Sequence, residues 1–212
     1  MITLYDYLPS QNAYKIRLLL NHLKLSYGTK YISIFEGEGQ TEQYLSISPT
    51  GTVPAITTEK GEHLAESNAI LVYLAEGTEY LPTDKLIRAR TFQWLCYEAE
   101  IVQTGIATLR HWVQTNKDKN RSEETLTIKR ELCIKALNTM NTHLADKAFF
   151  CGEQYTVADM SIFAYTHLSA EANLPLQRYK NVLAWIDRVK SQEGYLPEIH
   201  PYSIDPNSFK EL

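Results

Sequence analysis

Cysteine is scarce in this chain. The three present among 212 residues, Cys96, Cys133 and Cys151, are an odd number at wide spacing. There is no C-x-x-C pair and no histidine at ligand-like spacing, so neither a disulfide framework nor a metal site has support. Reduced structural thiols are the reading. No apolar run approaches the ~20 residues a spanning helix needs. An excess of positive charge is also missing: 21 Lys and Arg stand against 25 Asp and Glu, a net charge of -4. That removes the basic footprint required by nucleic acid or an anionic membrane surface. The opening Met-Ile-Thr-Leu-Tyr-Asp carries neither the basic nor the apolar region of a signal peptide, which predicts a soluble, cytoplasmic protein. Repeats and low-complexity tracts are absent as well.

What is present is alternation, then helix. Ile2 to Tyr5 is short, β-branched or aromatic, and reads as a buried strand; after Pro9-Ser10, Ile16, Leu19, Leu20 and Leu23 recur at helical spacing. Tyr27 to Ile34 is a second strand-like run. Val53 to Thr58 and Glu62 to Leu64 suggest a hairpin about Lys60-Gly61, and Ser67 to Glu76 a helix stopped by Gly77. This βαβ-ββα order is a thioredoxin-like layout with a mixed four-stranded sheet. From Thr78 to Lys85 the composition turns loop-like. Everything beyond reads as an all-α helical bundle: Leu86 to Gln114, Glu123 to Leu144, Val157 to Ala172 and Asn181 to Lys190. The predicted domains are 1–77 and 86–212, with 78–85 as linker.

Two motifs carry more than fold, and a third marks a helix start. Pro54 cannot donate to a strand ladder, so it leaves the main chain of Val53 open to a ligand backbone. Glu66-Ser67 opens a helix, where a serine hydroxyl, free amides and the positive end of the dipole suit a carboxylate. Thr156-Val157-Ala158-Asp159 has the form of a capping box, with Tyr155 and Met160 at the staple positions. Pro49-Thr50-Gly51-Thr52-Val53-Pro54-Ala55-Ile56 followed by Glu66-Ser67-Asn68-Ala69-Ile70 resembles the glutathione site of cytosolic glutathione transferases. Phe150-x-Gly152-x-x-Tyr155-Thr156-Val157-Ala158-Asp159 and the run from Tyr179 to Val189 resemble that family's carboxy-terminal domain, so the resemblance covers nearly the whole chain.

The resemblance implies a homodimeric enzyme that joins reduced glutathione, a co-substrate rather than a bound cofactor, to small hydrophobic electrophiles in detoxification. A non-catalytic binding module of the same fold is the alternative. It implies a cis Val53-Pro54 bond with Val53 pairing the cysteinyl unit, Ser67 and the helix amides taking the γ-glutamyl carboxylate, and Glu66 its ammonium. Thr52 and Gln40 are the candidates at the glycyl end. Ser10 falls where Ser-type members (theta-, beta- and chi-like bacterial classes) place the thiolate-stabilising hydroxyl; Asn12 and Tyr7 are the other candidates, and a plain cap of the first helix is the structural alternative for Ser10. No cysteine stands there, which argues against a redox role. Tyr7, Leu8, Tyr97, Ile101 and Thr108 are the predicted electrophile site, a stripe that core or dimer packing could also explain. Arg110-His111-Trp112 reads as packing.

Overall fold

The computed structural model describes residues 1–211. They divide into two compact units: Met1–Glu76 joined by Glu193 and the residues after it, and Gly77–Gln192.

The first unit is built on four strands, β1 (Ile2–Asp6), β2 (Tyr27–Tyr31), β3 (Ala55–Thr57) and β4 (His63–Ala65), in the spatial order β2-β1-β3-β4. β1 pairs parallel with β2 and antiparallel with β3, whose partner on the far side is the antiparallel β4. The parallel pair needs a crossover, which α1 (Gln11–His22) supplies, and α1 packs on α3 (Ser67–Ala75). This is the predicted thioredoxin-like layout. α1 is buried almost all round, including Lys15 and Arg17, because it lies between the sheet and the returning carboxy-terminal segment. That segment runs along α1. His22 Nδ1 lies 2.7 Å from the Glu193 carbonyl, Asn21 donates to Gly194 O at 3.0 Å and the Tyr14 hydroxyl to Leu196 O at 2.6 Å. Gly194 has φ 81°, and a Cβ there would press against His22.

β2 stops three residues short of the predicted Ile34. The chain turns there into short 3-10 pieces at Ile34–Glu36 and Glu38–Gln40, which drop Phe35 into the core. A one-turn helix, α2 (Glu42–Leu45), follows; it is too short for any periodicity to announce.

The second unit is helical: α4 (Lys85–Tyr97), α5 (Thr108–Gln114), α6 (Glu123–His143), α7 (Val157–Thr166) and α8 (Lys180–Lys190). The predicted uniform helix from Leu86 to Gln114 is instead two α-helices joined by ten residues of π-helix, Glu98–Ala107. Side chains take up carbonyls of the widened stretch: Lys129 Nζ donates to Thr104 O at 2.6 Å and Thr108 Oγ1 to Gln103 O at 3.0 Å. The predicted helix from Val157 to Ala172 divides at Thr166, whose carbonyl is taken by the Ser169 hydroxyl, before a 3-10 turn at Ser169–Ala172.

The capping box is present at the start of α7. Its Asp159 is fully buried and accepts from four donors: the Phe150 and Thr156 amides, the Thr156 hydroxyl and Trp185 Nε1, all at 2.9–3.1 Å. One carboxylate thereby fastens the loop before α7, the helix itself and α8. Among the described residues no helix is long and apolar enough to cross a membrane, and no group of three or more His, Cys, Asp or Glu could hold a metal ion.

Candidate functional site

Two helix N-termini meet beside the end of β1. Ser10 caps α1, its Oγ accepting from the Ala13 amide at 3.2 Å. The hydroxyl proton is left to donate elsewhere. Ser67, the first residue of α3, is buried, and its Oγ lies 3.5 Å from Asn12 Oδ1 and 3.4 Å from Lys15 Nζ. The positive ends of α1 and α3 and a fully buried ammonium thus converge on one serine, an arrangement that favours an anion. Glu66, exposed just ahead of it, has φ 70° and ψ 111°. An L-residue held there costs ~1–3 kcal/mol.

The Val53-Pro54 peptide is cis. β3 begins only at Ala55, and among the described residues neither the Val53 amide nor its carbonyl is hydrogen-bonded within the chain. The preceding turn is rigid: Thr52 O accepts from the Tyr44 hydroxyl at 2.8 Å and the Ser48 hydroxyl at 2.9 Å. Against it lies the loop carrying Gln40. A Cβ on Gly39 would collide with the Gly51 carbonyl, and one on Gly51 with the Gln40 side-chain amide, so this close approach requires glycine at both places. Gln40, Thr52 and Val53 are therefore neighbours.

Tyr7 is engaged differently. Its hydroxyl donates to Asp205 Oδ2 at 2.9 Å. Burial, and then that carboxylate, push its phenol well above the usual range. Its proton is committed to the carboxy-terminal segment. Tyr7 also packs with Phe35 and Tyr202, and Ile34 and Val53 border that cluster. Leu8, half-buried beside it, offers its carbonyl to Arg17. Of the other residues predicted for an electrophile, Tyr97, Ile101 and Thr108 belong to the helical unit. There the Tyr97 hydroxyl donates to Ala136 O at 3.1 Å, and Ile101 is partly exposed.

Two pairings went unforeseen. Arg17 Nη1 binds both oxygens of the buried Asp6, at 3.0 and 2.7 Å, while Nη2 donates to Leu8 O at 3.0 Å, clasping the loop between β1 and α1. Lys15 behind Ser67 is the other. Both could have been sought in the sequence: two cations on a helix that the apolar pattern buries need partners inside, and Asp6 in a strand-like run is one. The thiols of Cys133 and Cys151 are buried and pushed up, Cys133 to about 12, chiefly by desolvation, which leaves them poor nucleophiles. His167 is half-buried, stacked on Phe163, and held down at about 4 chiefly by loss of solvent.

Residues 9–76 match the family model for the amino-terminal domain of glutathione S-transferases, and residues 109–188 that for the carboxy-terminal domain. A crystal structure of a glutathione S-transferase from Pseudomonas fluorescens superimposes with a TM-score of 0.89 at 35% identity, over 92% of this chain and 98% of that one. The chain belongs to the glutathione S-transferase family. Family membership leaves activity open, because relatives differ. "Disulfide-bond oxidoreductase YfcG" of Escherichia coli (strain K12) is 28% identical over 91% of both chains. Elongation factor 1-gamma of Drosophila melanogaster is 28% identical over 99% of this chain and 50% of its own length.

Proposed function

We propose that this protein conjugates reduced glutathione to small hydrophobic electrophiles such as haloarenes, isothiocyanates and activated alkenes. The observation that carries this reading is the open Val53 main chain beside a serine on which two helix N-termini and a buried lysine converge. In it, Val53 pairs with the cysteinyl unit as an added strand. Ser67, backed by Lys15 and the α3 amides, receives the γ-glutamyl carboxylate and Glu66 its ammonium. Gln40 and Thr52 attend the glycyl end. The sulfur then faces the start of α1, where Ser10 donates its free hydroxyl proton to the thiolate in the manner of Ser-type members and Asn12 assists. Tyr7, its proton given to Asp205, serves with Leu8 as an apolar surface. The protein acts as a homodimer and holds no permanent cofactor.

In the reaction on a haloarene the thiol proton passes to solvent, the thiolate forms the C–S bond and halide leaves. Lowering the thiol pKa from ~8.5 to ~6.5 is worth ~2.7 kcal/mol and raises the thiolate about tenfold near pH 7.5. A Brønsted slope of ~0.4–0.5 returns almost all of that in lost nucleophilicity. Most of the acceleration therefore comes from holding sulfur and electrophile together.

The relative named as a disulfide-bond oxidoreductase favours a second reading. Glutathione can supply both sulfurs: one thiolate attacks a disulfide and expels a thiolate, and a second glutathione resolves the mixed disulfide, giving oxidised glutathione and two thiols. The lack of cysteine at Ser10 is no obstacle to that route. Retention on immobilised glutathione, followed by haloarene, isothiocyanate and disulfide-reduction assays, separates the cases. Wild type is expected to be retained and to turn over the electrophiles; Ser67→Ala is expected to lose retention. Disulfide turnover alone selects the second reading, and retention with no turnover selects a binding module.

A further inference from the structure

A cavity of about 350 Å³ opens on the helical unit, between α6 and the chain that leads from the 3-10 turn at Ser169–Ala172 into α8. α6 presents Arg130, Ile134 and Leu137 to it, spaced so that they share one helix face. The connection cannot close over that face as a helix, because Asn173 takes a left-handed φ of 57° and Pro175 follows. Both of its ends are tied down. The Leu174 amide donates to Ser169 O at 3.1 Å; one turn beyond Leu137, Asn141 Oδ1 accepts the Asn181 amide at 3.0 Å and Asn141 O the Asn181 side chain at 2.8 Å. The space is therefore preformed, and its size is that of a small-molecule site.

Its lining combines two kinds of surface. Leu137, Leu174 and Tyr179 are nearly fully buried and make an apolar floor, while Arg130 and Arg178 are exposed at its edge. Among the described residues no acid lines it. The Arg178 guanidinium lies 4.8 Å over the Tyr179 ring and gives one N–H to the Tyr179 hydroxyl, and among the described residues it has no carboxylate partner. Arg130 has only the exposed Glu123, at 3.6 Å, a contact of little strength. Two guanidinium groups with donors to spare beside an apolar floor match one chemistry, an organic anion.

We infer that this cavity binds a flat apolar molecule bearing one carboxylate, its ring on Leu137, Leu174 and Ile134 and its carboxylate held by Arg130 and Arg178. Burial of the ring supplies attraction, and the planar guanidinium forks select the anion. All of these residues belong to the helical unit, whereas Ser10, Val53 and Ser67 belong to the first, so the inference stands whether or not the glutathione reading does.

Isothermal titration calorimetry of the intact protein with 2-naphthoate and with its neutral counterpart 2-naphthalenemethanol tests this. 2-Naphthoate is expected to bind once per chain with a Kd on the order of 0.1 mM, and the alcohol at least ~10-fold more weakly. Arg130→Met and Arg178→Met are each expected to weaken naphthoate by ~5-fold or more, with melting temperatures close to wild type because both side chains are exposed. Ile134→Trp, which fills the cavity, is expected to abolish binding. Absence of naphthoate binding at millimolar concentration overturns the inference. So does wild-type affinity in either arginine variant or in Ile134→Trp, which would place naphthoate elsewhere on the protein. An alcohol that binds as tightly as naphthoate refutes selection by charge.

Discussion

Ser10 carries two separable loads, and substitution tells them apart. As the cap of α1 its oxygen accepts one amide. Ser10→Ala deletes that acceptor and should cost ~1 kcal/mol of stability, whereas Ser10→Gly should cost only a few tenths. For a chain of this size the alanine variant then melts ~2–4 °C lower. The proposed second load is the hydroxyl proton given to the thiolate, and both variants lack it equally. Both should therefore lose at least ~10-fold in kcat, chiefly because the donated bond holds the sulfur in place for attack rather than because it raises the thiolate fraction. The pH profile of kcat should also move alkaline in both, as the bound thiol returns toward ~8.5. Initial rates with a haloarene at saturating glutathione, across pH and beside thermal melts, give all four numbers. If kcat stays at the wild-type level in both variants, the hydroxyl is a cap and nothing more, and Asn12→Ala becomes the variant expected to fall. If kcat follows stability, lower in alanine than in glycine, the catalytic assignment is refuted as well.

Asp159→Ala should destabilise the protein by ~3–5 kcal/mol, since it strands four buried donors, and urea titration would show it as a lower midpoint. Arg17→Met leaves Asp6 buried without its cation and should cost ~3–5 kcal/mol, while adding Asp6→Leu should return much of it; a double variant no better than the single one refutes the pairing. His167, held at about 4 against an ordinary 6.5, binds its proton less readily when folded, so stability is lost as pH falls from 6.5 toward 4, by about 3 kcal/mol. Burial raises Asp159 to about 6, which acts oppositely: the folded form holds the extra proton, and stability falls as pH rises from 3.8 to 6. The two effects offset in wild type, and His167→Gln should uncover the second, gaining on wild type between pH 7 and pH 4; a difference independent of pH would contradict the assignment.

The fold was legible because its signals are local. β-branched and aromatic runs bounded by Gly and Pro gave all four strands, and apolar spacing with the Thr156 to Asp159 box gave the long helices, with most ends within three residues and α7 stopping six residues before the predicted Ala172. The π-helical stretch was not legible. Ten residues with few large apolar side chains do not define a helical period, and the stretch's carbonyls are taken up in part by Lys129, donating from another helix.

The site divides along the same line. Val53, Pro54, Glu66 and Ser67 lie in short segments whose backbone chemistry dictates their place, so the sequence could name them. Lys15, the Asp6-Arg17 clasp and the Tyr7-Asp205 bond are long-range: their partners stand 52, 11 and 198 residues away. Only burial reveals them, by making each charged or hydroxyl group find a partner inside. Tyr7 shows the consequence. As a phenol at the end of the first strand it was a fair candidate for the thiolate's donor, yet Asp205 claims its proton first. A hydroxyl can donate only once. The choice between Ser10 and Asn12 therefore rests on which of them keeps a donor free toward the sulfur: Ser10 spends its oxygen on Ala13 and retains its proton, whereas Asn12 turns its carbonyl oxygen to Ser67. In a double-variant cycle over the two positions, losses in turnover that fail to add would show that both side chains act on the same sulfur, and strictly additive losses would show that they do not.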